Sequence, residues 1–115
     1  NDAKHEEGAM DVKKLEEEMK KSERAVKTAR NREVRKLEGL LVDQGMAHGY
    51  FRYRGVDFMQ LNRVFWDDHS EEFMVLLLDS DEAKPYVVQF KQQTWRLDAF
   101  LLALEEGSLV QVQVP

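Results

Sequence analysis

From about residue 10 to residue 44 the chain contains no Pro and one Gly, Gly39, while Lys, Glu, Arg, Leu, Met and Ala dominate. All of these are good helix formers. Apolar or small residues recur at Val12, Leu15, Met19, Ser22 and Val26. That is the 3–4–3–4 spacing of a coiled-coil seam. Val34, Leu37 and Leu41 continue the seam only if four residues are inserted, passing through Arg30, a stutter that relaxes supercoiling. The helix is expected to stop near Gly45, a residue suited to the left-handed C-cap. Residues 1–8 are polar and end at Gly8, which predicts a frayed start.

The body that follows changes period. In "GYFRYRG", residues 49–55, Phe51 and Tyr53 alternate with Tyr50, Arg52 and Arg54, as on a strand with one wet face. In "VDFMQLNRVFW", Asp57 is a candidate N-cap, and Leu61, Val64 and Phe65 recur at helical spacing. Two apolar runs, 73–78 and 86–90, flank Asp79, Ser80, Asp81 and Pro85 and predict a hairpin. "TWRLDAFLLALEEG" predicts a helix with an N-cap candidate at Thr94, a C-cap candidate at Gly107 and a stripe of Leu97, Phe100, Leu101 and Leu104. The terminal "LVQVQV" alternates, with Val110, Val112 and Val114 expected inward and Gln111 and Gln113 outward. The expected order is long helix, strand, helix, two strands, helix, strand.

This pattern assigns the α+β class: a long N-terminal coiled-coil helix, residues 1–45, then a head of about four strands and two helices, residues 46–115. A head of this size builds only a modest core, so it is expected to lean on its helix or on a partner. Charge sharpens the division. Residues 20–36 carry Lys20, Lys21, Arg24, Lys27, Arg30, Arg32, Arg35 and Lys36 against Glu23 and Glu33, a net +6. The whole chain is −5, so the remainder is −11, much of it in "WDDHSEE" and "DSDE". A basic rod on an acidic body is a polarised molecule.

Little in the sequence carries catalysis. Cysteine is absent, which excludes disulfides, thiolate zinc sites and cysteine nucleophiles. His5, His48 and His69 lie far apart and form no metal-ligand spacing. The carboxylates around His69 lack the alternation and central Gly of a calcium loop. No GxGxxG, phosphate loop or nucleophile elbow occurs. The expectation is a non-enzyme with no cofactor and no metal. No apolar run spans a bilayer and no apolar leader opens the chain, so an intracellular setting, cytoplasmic or nuclear, is expected without membrane insertion.

Binding chemistry has two sources. The first is the helix seam of Val12, Leu15, Met19, Val26, Val34, Leu37 and Leu41, which would be buried against another protein or a second copy. The second is a contact set of Tyr50, Arg52, Arg54 and Trp66 on the head. Strands that stack nucleic-acid bases also interleave aromatics with arginines. Lys20, Lys21, Arg24, Lys27, Arg32 and Arg35 could then track phosphates. Alternation leaves only Tyr50 on the same face as the arginines, and an acidic body repels phosphate. Arg52 and Arg54 have an alternative in pairing with "DDHSEE" or "DSDE".

"GVDFMQLNRVF" resembles a short basic-aromatic motif in the cytosolic domain of the membrane subunit that assists post-translational translocation into the endoplasmic reticulum. The matching positions are Val56, Asp57, Phe58 and Arg63; Met59, Leu61 and Asn62 stand where that family has a second Phe and a Tyr-Lys pair. The match covers eleven of 115 residues. The resemblance implies a head similar to a winged helix and a translocation-associated role; in the nucleic-acid alternative, which rests on residues 20–36, such a head would add contacts. The reading that the pattern favours is an assembly or adaptor module: a helix that pairs and a head that docks.

Overall fold

The computed structural model describes residues 2–85 and 91–114, with side chains described from Asp11 onward. The fold is α+β. A long helix α1 (Asp2–Asp43) is followed by strands β1 (Tyr50–Tyr53), β2 (Asp57–Asp67), β3 (Glu72–Asp79) and β4 (Gln92–Arg96), helix α2 (Leu97–Glu106) and strand β5 (Leu109–Val112). The chain divides into two compact units, Asn1–Arg32 and Glu33–Pro115.

Helix α1 ends as its sequence predicts. Gly45 takes φ +70, its N–H donates to the Val42 carbonyl, and the Met46 N–H donates to the Leu41 carbonyl at 2.8 Å. This pair of bonds is the Schellman closure, and the left-handed residue it requires is easiest for Gly.

The second unit is built on one antiparallel sheet in the order β4-β3-β2-β1-β5. Strands β1 to β4 form a meander, and α2 returns the chain so that β5 closes beside β1. The β1–β2 connection places Arg54 at φ 50 and Gly55 at φ +71, with the Val56 N–H donating to the Tyr53 carbonyl. Two successive positive φ values make the type I′ turn that matches strand twist. One face of the sheet carries the core. Phe51, Met59, Leu61, Val64, Val75, Leu77 and Leu109 are buried with Leu97, Phe100 and Ala103 of α2. Phe51 meets Phe100 edge to face at 5.3 Å, and Trp95 stands edge-on to both Tyr53 and Phe100. Leu41, 7% exposed, belongs to the same core, and Val34 and Leu37 pack against it.

Four expectations are corrected. Residues 57–67 are a strand, not a helix capped by Asp57. The register slips between Leu61 and Arg63, so Asn62 is a bulge. A bulge adds one residue, and Leu61 and Val64 can then both face inward three positions apart. That spacing imitates a helix. Second, Thr94 and Trp95 lie in β4, where Trp95 pairs with Val75, and α2 begins only at Leu97. Third, β5 begins in the opposite phase. Leu109 is buried at 1% and Val110 is 53% exposed, because the larger Leu takes the inward position. Val112, on the face of Val110, is half-buried, while Gln111 and Gln113 are exposed as expected, and Gln111 Nε2 donates to the Gly45 carbonyl at 2.7 Å. Fourth, residues 55–65 run through the turn into β2, and the described residues form two helices and one five-stranded antiparallel sheet. A winged helix needs a helical bundle carrying its recognition helix, so that expectation is not met. The strand expected at 86–90 lies outside the described residues.

Candidate functional site

On α1, Val12, Leu15, Met19 and Val26 are 55%, 60%, 56% and 58% exposed. Ser22 and Ala29 complete the same heptad positions and are exposed as well. The basic side chains Lys20, Lys21, Arg24, Lys27, Arg32 and Arg35 also reach solvent. Val34, Leu37 and Leu41 differ: they turn to the core of the second unit, since Leu41 contacts the sheet-side cluster that holds Leu61 and Val64. The expected seven-residue pairing seam is therefore reduced to its first four members.

On the head, the aromatic-arginine stretch is largely used internally. Tyr50 stacks on Phe58 at 5.4 Å, and its hydroxyl donates to the Pro85 carbonyl at 3.0 Å. The Arg52 guanidinium pairs with Glu82. Ser80 Oγ also donates to the Pro85 carbonyl. These contacts fasten the 80–85 turn to the strand, which is the alternative that "DSDE" offered the arginines. Phe51 is fully buried and Tyr53 packs on Trp95, so neither offers a face for a base. Arg54 is exposed at the β-turn, its guanidinium 5.1 Å from the Tyr53 ring centroid.

Trp66 is half-buried and lies edge-on to Phe73, its cross-strand partner, at 4.8 Å. Together with Leu97 and Leu101 of α2 they line an open groove of about 280 Å³, with Glu71, Glu72 and Asp98 also in its lining. Arg96 sits beside these acids. It donates to Asp98 at 2.8 and 3.0 Å and stands 3.8 Å from Glu72. That bond from Arg96 holds the Asp98 carboxyl below its usual range and raises the arginine above its own. Asp67 is likewise lowered, chiefly by the Ser70 hydroxyl and then by the His69 backbone N–H. Sequence reasoning named Trp66 but missed the groove. The signal was present: Trp66 and Phe73 bracket the polar "DDHSEE", as cross-strand partners bracket a hairpin turn.

Among the described residues, no three His, Asp or Glu side chains gather in a metal-binding cluster. No helix of the described residues is long and apolar enough to cross a membrane. Comparison with protein-family models, curated proteins and solved structures gives no match for this chain.

Proposed function

We propose that this chain is a protein–protein interaction module. Its helix α1 pairs with another helix through Val12, Leu15, Met19 and Val26, and its head offers a docking surface at Arg54 and the groove beside Trp66. The observation that carries this reading is the exposure of four large apolar side chains at heptad spacing on one helix. A helix this charged gains little in water from its own propensity and relies on burial of its apolar edge. Each Val, Leu or Met that becomes fully buried contributes about 1.5–3 kcal/mol. Two such helices therefore have enough apolar surface to associate at micromolar concentration.

The test is sedimentation of the full chain over a range of concentrations, alone and as the Leu15→Asp and Val26→Asp variants. Assembly in the parent and its loss in both variants, with head stability unchanged, supports the reading. A one-chain mass at every concentration with no helix captured by crosslinking defeats it. The exposed run from Lys20 to Arg35 supplies a rival outcome. Duplex DNA or RNA bound at low salt, with affinity falling steeply as salt rises, would assign that run to phosphates.

A further inference from the structure

The inference rests on the reading that α1 pairs, and it names the partner and the direction. We propose that α1 pairs with α1 of a second copy of this chain, antiparallel, with position i of one copy opposite position 41 − i of the other. Residues 5–18 carry six carboxylates against Lys13 and Lys14, a net −4. Residues 23–36 carry six cations against Glu23 and Glu33, a net +4. One helix is thus acidic in its first half and basic in its second. Laid parallel and in register, two copies set −4 on −4 and +4 on +4 along their length. Turned end for end, each acidic half lies along a basic half.

The apolar positions select the same arrangement. Val12, Met19 and Val26 fall seven apart, as do Leu15, Ser22 and Ala29, so the two series are the a and d positions of a heptad. In an antiparallel pair each a layer faces a d layer. The offset that matches the charge halves puts Leu15 opposite Val26 of the second copy, Met19 opposite Ser22, and Val12 opposite Ala29. Each large side chain in the outer layers meets a branched or small one, and the central layers pair Met with Ser. The register uses residues 12–29 of both copies, so Val34, Leu37 and Leu41 remain in the head core.

The chain contains no cysteine, which makes disulfide mapping clean. Full-length Leu15→Cys and Val26→Cys chains are oxidised separately and as a mixture, and the mass of the parent is measured in parallel. The proposal expects a Leu15→Cys to Val26→Cys disulfide in the mixture and none from either chain alone. Self-disulfides from each single variant would establish parallel pairing, overturning the proposal while leaving the interaction reading intact. A dimeric mass with no disulfide in any sample overturns the register and the direction. A one-chain mass for the parent overturns self-pairing itself. Salt gives a readout that needs no substitution. Opposed charge halves lose attraction on screening, so the dissociation constant of the parent should rise several-fold between low and high salt. Like-on-like halves would lower it, and that result counts against the proposal.

Discussion

Leu15 and Leu41 stand on the same helix and have opposite environments. Leu15 is 60% exposed, whereas Leu41 is 7% exposed inside a sheet-and-helix core. The difference comes from what each stretch has to pack against. From Glu33 onward the helix lies in the compact unit that contains Phe51, Met59, Val75, Leu77 and Phe100. Before it, Asn1–Arg32 is a unit whose described residues belong to one helix. A heptad spacing therefore does not identify the surface that will bury it.

The largest effect is expected at the centre of the head. Phe100→Ala removes a fully buried ring that contacts both Phe51 and Trp95. It should cost about 3–5 kcal/mol in urea or guanidinium unfolding of the head. Met19→Ala should leave that unfolding transition within about 0.5 kcal/mol of the parent. A second contrast lies within α1. Leu41→Ala should destabilise the head by about 2–4 kcal/mol, while Leu15→Ala should leave head stability alone and weaken association. If Leu15→Ala destabilised the head as much as Leu41→Ala does, the two stretches would not be energetically separate.

What the sequence disclosed follows the same division. The helix, its Gly45 closure and the phase of β1 were legible because each rests on local chemistry: propensity, a left-handed Gly and alternation. The pairing of Arg52 with "DSDE" was legible as an alternative because the charges were conspicuous. The errors arose where tertiary packing overrides spacing. The bulge at Asn62 let Leu61 and Val64 share a face at an odd separation, so β2 carried a helical signature. In β5 the alternating valines pointed to one phase, but the burial of Leu109, paired with Tyr53 across the sheet, puts Val110 outward. Thr94 read as a helix cap because nothing local announces that Trp95 pairs with Val75. The groove at Trp66 and Phe73 depends on both strands of a hairpin whose first strand carries helical spacing.

A smaller effect tests the joint at which α1 leaves for the sheet. Gly49 has no room for a side chain: a methyl there would lie 2.9 Å from the Met46 carbonyl oxygen and 2.9 Å from Gln111 Nε2. The glutamine can swing away, but the carbonyl belongs to the turn that closes α1, whose Met46 oxygen accepts the Gly49 N–H. Gly49→Ala should therefore destabilise the head by about 1–3 kcal/mol. Gln111→Ala should cost about 1 kcal/mol by removing the bond to Gly45. The double variant should cost less than the sum of the two, since the alanine at 111 clears one of the two obstructions. Thermal unfolding of the three proteins checks this.

The smallest expected effect is electrostatic and confined to the head. The Asp98 carboxyl is held below its ordinary range by the Arg96 guanidinium, and Asp67 by the Ser70 hydroxyl. A carboxylate whose pKa is depressed by folding contributes stability above its unfolded pKa of about 3.9, and loses that contribution as pH falls through the folded value. Head stability should thus be flat in this respect at neutral pH and decline below about pH 4. Both groups are open to solvent, so the contribution of each is small. Asp98→Asn should lower stability slightly at pH 7 and make the decline between pH 4 and pH 2 shallower, as followed by urea midpoints at each pH. A variant whose acid decline matched the parent's would mean that the Arg96–Asp98 pair does not contribute to holding the start of α2 against β4.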